Sequence, residues 1–272
     1  MKTGIEQKTV NILGMDLNAF TMKELLELID HRIVSRQRLL LSVVNAAKLV
    51  NARKDPDLMH SIKQADLVLA DGAPVVWLSR LLGTPLPQRL AGIDIMYRML
   101  ERASQRHYRV YFLGAKADVV QRVVAITATQ YPNLIVAGYK DGYFSDGEDA
   151  AVAQQIKESR ADILFVAMPS PRKENFLAKW YDFIQVPVCH GVGGSFDVMA
   201  GLTRRAPNWM QNCGLEWFYR LIQEPRRMWK RYLVTNTAFI GLSISEIVRV
   251  TLNRLRGISN VDTSCSVKTD DK

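Results

Sequence analysis

Six short apolar runs, each set off by turn residues, constrain this chain more than any other feature. They are "RLLLSVV" (38–44), "DLVLA" (66–70), "YRVYFLG" (108–114), "NLIVAGY" (133–139), "ADILFVA" (161–167) and "VPVCHG" (186–191). Their apolar residues are consecutive rather than alternate, which suits strands covered on both faces, as in a parallel sheet clothed by helices. Helical patterns fill the gaps. Thr21-Met22-Lys23-Glu24 is a capping box, with Leu25, Leu28, Ile29 and Ile33 following at helical spacing. Further patterns cover 46–64, 74–82, 93–106 and the stretch from Gly114 to about 130. The expected fold is therefore α/β: a doubly wound, mostly parallel, Rossmann-like sheet spanning 1–200.

The pattern changes beyond that point. From Arg204 to Arg256 there are nine Arg and one Lys against three Glu, so most of the chain's net charge of +9 sits in its last quarter. Trp209, Trp217 and Trp229 fall in the same stretch. Residues 201–256 therefore read as a basic, aromatic, helical appendage whose partner is anionic: nucleic acid, an acidic membrane surface or a phosphorylated ligand. The run 232–251 is apolar in part but interrupted by Asn236, Glu246 and Arg249, which favours an interfacial or core-packed helix over a spanning one. The polar residues 257–272 are expected to be disordered. Cys189, Cys213 and Cys265 form no metal-ligand or paired spacing, and the N-terminus lacks a long apolar core, so a reducing cytosol is the expected setting.

In an open α/β sheet, ligands bind beyond the carboxyl ends of the strands. Those ends carry Asn45, Asp71-Gly72, Gly114-Ala115-Lys116, "MPSPRKE" (168–174) and "GVGGSFD" (191–197). Asp71, in "LVLADGAP", is either the cap of a helix begun by Pro74 or a base aimed into a cleft. Asp197 is likewise a cap or a site acid, and Lys173 with Glu174 is a solvated pair or a site pair. Asp55-Pro56-Asp57 has a metal-binding form, yet capping accounts for both carboxylates. The four histidines are scattered, and neither a G-x-G-x-x-G nor a P-loop is present, which weighs against dinucleotide and NTPase chemistry.

The segments "VNAAKLVNARKDP", "ADLVLADGAPVVW", "PLPQRLAGIDIM", "YRVYFLGAK", "MPSPRKENF", "GVGGSFDVMAGLTRRAP" and "GLEWFYRLIQEPRRMWKRYL", in that order over about 40–235, resemble the WecG/TagA/CpsF family of bacterial glycosyltransferases. The resemblance implies an inverting, metal-independent transferase without a cofactor, its co-substrate a UDP-sugar and its acceptor a polyprenyl-diphosphate-linked saccharide. It implies a peripheral protein at the cytoplasmic face of the inner membrane that self-associates. Asp71 matches the family's proposed base, Asn45 a substrate-positioning residue and Arg89 an arginine acting on the departing diphosphate. Gly191, Gly193, Gly194 and Asp197 match the nucleotide region. Arg220, Arg227 and Lys230 fall in the membrane-targeting appendage, where they are expected to assist a diphosphate. Two positions depart from the family: Val43 where many relatives carry Thr, and Lys173 where many carry Gln. The second replaces a neutral donor and acceptor by a cation, which leaves hexose, N-acetylhexosamine and its uronic acid open as donors. Two other classes compete. An NAD(P)-dependent oxidoreductase lacks its glycine fingerprint here, and a nucleic-acid-binding protein would need a reading or stacking motif that the tail does not contain.

Overall fold

A computed structural model describes residues 8–255, so the expectation for 257–272 lies outside the described residues. The described residues open with a hairpin that the sequence reading did not anticipate, β1 (Thr9–Ile12) and β2 (Met15–Asn18), paired antiparallel. Helix α1 (Met22–Val34) follows, closed at its start by the expected capping box. The main sheet consists of β3 (Leu39–Val44), β4 (Leu67–Ala70), β5 (Arg109–Gly114), β6 (Ile135–Lys140), β7 (Ile163–Ala167) and β8 (Val188–Gly191). Its order is β4-β3-β8-β7-β5-β6, and every pairing is parallel. The six strands are the six apolar runs, each starting a residue or two later, with β6 also running on to Lys140.

Helices cover both faces. Alternate residues of one strand serve opposite cores, as the pleat requires. Val110 and Phe112 of β5 pack with α1, α5 (Gly92–Arg106) and α6 (Ala117–Gln130), while Tyr111 and Leu113 pack with α7 (Asp149–Glu158) and α8 (Arg172–Ile184). Two helices, α2 (Ala46–Ala52) and α3 (Pro56–Lys63), fill the pattern at 46–64. Asp55 caps the second through its side chain, accepting from Leu58 N–H at 3.0 Å, and Pro56 starts it. Capping thus accounts for Asp55, as the bland reading of that motif held. The β1–β2 hairpin guards the β4 edge, where the Asn18 side chain accepts from Val68 N–H at 2.8 Å. Filling an otherwise open parallel edge in this way limits strand addition from another chain.

Helix α4 (Ala73–Leu81) follows β4, and the short α9 (Ser195–Met199) follows β8. Beyond residue 204 come α10 (Asn208–Asn212), α11 (Glu216–Gln223) and α12 (Pro225–Leu255), the last of 31 residues. Phe239, Ala238, Leu242, Ile247 and Val250 on one side of α12 join the core formed by the hairpin, α2 and α4. At its far end Arg254 donates to the Leu82 carbonyl that closes α4. The opposite side exposes Trp229, Leu233, Ile240, Ile244, Val248 and Leu252. Residues 228–254 are long and apolar enough to cross a membrane by length and composition, with a mean hydropathy of 1.3. One side of α12 packs on that core, while only 11% of the span is buried.

Candidate active site

Topology brings three of the five anticipated strand ends side by side. Asn45 follows β3, Asp71 follows its neighbour β4, and the glycine turn follows its other neighbour β8. Asp71 N–H donates to Val44 C=O at 2.9 Å, which holds the first pair in register, and Leu90 N–H donates to Ala70 C=O at 2.8 Å, which brings the loop carrying Arg89 to the end of β4.

Asp71 does not cap α4. The N-cap is Gly72, and no side chain caps the helix. The Asp71 carboxylate instead lies by the backbone N–H of Gly92, the first residue of the 15-residue α5, which favours its charged form. A helix N-terminus stabilises negative charge there. Burial nevertheless pushes the Asp71 carboxyl up, and nearby Glu216 adds to the rise. Arg89, Arg220 and the Gly92 N–H act against it, and the net direction is upward. A part-buried carboxylate at the mouth of the sheet, more basic than usual, has the properties of a proton acceptor.

Asn45 caps α2, its Oδ1 accepting from Lys48 N–H at 3.0 Å. It also lies against the Asp71-Gly72 turn, since a Cβ on Gly72 would fall 3.4 Å from Asn45 Cβ. Gly193 adopts φ +54°, in the left-handed region where glycine is least strained. A Cβ on Gly194 would lie 3.7 Å from Asp197 Oδ2 and 4.0 Å from Arg220 Nη2, so the appendage reaches the glycine turn. Asp197 sits in the first turn of α9, whose N-cap is Gly194. Gly191 has a packing reason to be glycine: a Cβ there would meet the Lys173 stem at 2.7 Å.

Beside this turn, Glu174 receives Lys48 Nζ at 2.8 Å and Lys173 Nζ at 3.3 Å, all three side chains being largely shielded. Burial alone would raise the Glu174 carboxyl, but Lys173 and Lys48 outweigh it and hold it at about 2. Burial, reinforced by Lys173, pushes the Lys48 amine down. The pair is a buried cluster rather than a solvated one. Lys48 was missed from sequence, where it read as one polar residue in "VNAAKLV".

The loop before α5 and the appendage meet in a second cluster. Arg89 Nη1 lies 2.5 Å from Glu216 Oε2, and Arg89 Nη2 lies 3.6 Å from Asp94 Oδ2. Arg205 forks onto both Asp94 oxygens at 2.5 and 2.8 Å and stands 3.5 Å from Glu216 Oε1. Asp94, Arg205 and Glu216 were also missed. Two arginines and one glutamate in "GLTRRAPNWMQNCGLEW" carry no mark of a partner more than a hundred residues away. Lys230 is exposed on α12 and pairs with no acid among the described residues; Arg227 belongs to α12, and its side chain lies outside the described ones. The structure thus joins Asp71, Asn45, Arg89, Gly194 and Arg220, with Lys173, Glu174 and Gly191 alongside.

Among the described residues no group of three or more His, Cys, Asp or Glu is arranged to hold a metal ion. A recess of about 330 Å³ lined by Arg36, Lys157 and Arg160 lies by the amino ends of β3, β7 and β8, the end of the sheet away from these groups.

Comparison with known proteins returns the Glycosyl transferase WecG/TagA/CpsF family, matched over residues 10–253. The chain is similar to an N-acetylglucosaminyldiphosphoundecaprenol N-acetyl-beta-D-mannosaminyltransferase of Bacillus subtilis (strain 168), 39% identical over 223 residues, 82% of this chain and 85% of the relative. A protein of the same description from Bacillus spizizenii is 38% identical over 182 residues, 67% of this chain and 70% of its own.

Proposed function

This chain belongs to the WecG/TagA/CpsF family of glycosyl transferases, and from that premise we propose that it moves a hexose, N-acetylhexosamine or N-acetylhexosaminuronic acid from a UDP-sugar to a polyprenyl-diphosphate-linked saccharide, with inversion and without a metal, in building a surface polysaccharide. The two relatives are named for transfer to N-acetylglucosaminyldiphosphoundecaprenol, which supports the acceptor class. The observation that carries the reading is the Asp71 carboxylate at the mouth of the sheet, facing Arg89 and Arg220 beside the Gly193–Gly194 turn.

The acceptor hydroxyl attacks the anomeric carbon as the bond to UDP breaks. Its proton passes to Asp71, and the bonding pair leaves with the diphosphate. Arg220, close to both Asp71 and Gly194, stabilises the charge that grows on the leaving group. Asn45 presents its amide N–H₂ to the substrate, its oxygen being engaged by α2. Lys173, held over Gly191 by Glu174, offers a cation to the donor where many relatives offer a neutral amide.

The exposed apolar stripe of α12, with exposed Arg226, Lys230 and Arg231 at its start, supports peripheral attachment to an anionic membrane on the cytoplasmic side. The test is a panel of UDP-sugars offered with a synthetic lipid-diphosphate-linked saccharide and scored for UDP release. Acceptor-dependent release from one donor is expected. Absence of release from every UDP-sugar would overturn the reading.

A further inference from the structure

The base has a second carboxylate for company, and it comes from outside the sheet domain. Glu216 opens α11 and reaches across to Arg89 and, more loosely, Arg205, while Asp94 at the start of α5 takes the remaining faces of both guanidiniums. Two cations and two anions form a closed ring spanning the loop before α5, the start of α5 and the appendage. Several features seat α11 for this contact. Gln223 exchanges hydrogen bonds with the Arg204 backbone at 3.2 and 3.0 Å. The Trp217 ring packs on Tyr232 of α12. Gly214, just before α11, lies so near the Trp77 ring of α4 that a Cβ would fall 2.6 Å from it.

Consider Arg89 without this ring. A guanidinium facing Asp71 with no other acid to serve would hold the carboxylate in its charged form and make it a weak proton acceptor. We propose that Glu216 is a positioning residue of the transfer reaction: by occupying Arg89 it withholds part of that guanidinium's charge from Asp71. Leu90 N–H donating to Ala70 C=O at 2.8 Å sets Arg89 beside the end of β4, and Glu216 is bound to that arginine, so the charged groups around Asp71 are Glu216 and Arg220 from α11, Arg89 from the loop and Lys48 from α2. Those facing Glu216 are Arg89 and Arg205, with Asp94 beyond them. The upward push of Glu216 on the Asp71 carboxyl, second only to burial, agrees with this arrangement. The appendage therefore carries opposed devices one helical turn apart. Glu216 strengthens the base, and Arg220 favours its charged form while serving the leaving group.

This inference rests on Asp71 being the base, and the experiment separates the two. The full chain is assayed for kcat/KM against pH as wild type and as Glu216→Gln, whose amide oxygen still accepts from Arg89 and keeps α11 docked. The acid limb is expected to move to lower pH by about one unit, with plateau kcat falling roughly threefold, as a general base of lower basicity dictates. A limb at the wild-type pH, or one displaced upward, would overturn the proposal. A second readout does not depend on turnover: the Asp71 carboxyl midpoint followed by carbon NMR in both proteins. It is expected to fall by a similar amount in Glu216→Gln, and an unmoved midpoint would overturn the proposal. If Asp71→Asn kept wild-type turnover, the base assignment would fail, while the carbon titration would still report whether Glu216 governs that carboxyl.

Discussion

The two halves of the site are held by different forces. Asp71, Asn45 and the glycine turn end strands that lie side by side in the sheet, and inter-strand hydrogen bonds and fully buried side chains such as Leu41, Leu69 and Phe165 fix their positions. Arg220 and Glu216 ride on α11, a helix with no fully buried side chain, seated by ring contacts and a ring of charges. Strand ends hold atoms to within fractions of an ångström, which suits a proton acceptor. A part-exposed helix held by ring and polar contacts is anchored less firmly than a buried strand end. On the proposed reading the chemistry is split between strand ends that accept the proton and a surface helix that balances the charge.

The comparison breaks most visibly at Asp71. Asp71→Asn should cut turnover by roughly a hundred- to ten-thousandfold, the usual contribution of a general base, with the thermal midpoint unchanged; near-normal activity would remove the rigid half from the chemistry. Next in size comes the buried cluster beside it. Glu174→Ala leaves Lys48 and Lys173 buried without their shared acid, so unfolding free energy should fall by about 3–5 kcal/mol in a denaturant titration. A loss below about 1 kcal/mol would mean the sheet end is softer than its packing implies.

On the appendage half, Arg220→Ala should lower turnover roughly tenfold to a hundredfold, the scale of one charge-assisted hydrogen bond, and leave the midpoint in place. Loss of stability instead would make Arg220 part of the scaffold. Smallest in stability should be the double change Trp229→Ser and Leu233→Ser on the exposed side of α12. Unfolding free energy should move by about 0.5 kcal/mol or less, while co-sedimentation with anionic vesicles falls sharply. Unchanged sedimentation would separate the stripe from the membrane.

Most of the sheet was legible before any coordinates. The six apolar runs became the six parallel strands because burial on both faces leaves a composition mark that needs no partner to be seen. Asp71, Asn45 and the glycine turn were legible for a related reason: ligands gather at strand ends, and strand ends can be counted along the chain. The β1–β2 hairpin was not, because "VNILGMDLN" is short and its pairing with the β4 edge runs through one asparagine side chain. Asp71 as cap or base was likewise undecided by local pattern, since Asp-Gly-Ala-Pro suits both.

The sequence by itself determined the architecture, the order of the strand ends and the basic character of the appendage, because each follows from local periodicity or from a sum of charges. Only the tertiary structure decided which charges meet. Arg89 facing Glu216, Arg205 forked on Asp94, and Lys48 sharing Glu174 with Lys173 are contacts across long stretches of chain. A charged residue carries no local sign of its partner. Electrostatic energy depends on separation and shielding, and neither exists until the chain has closed around them.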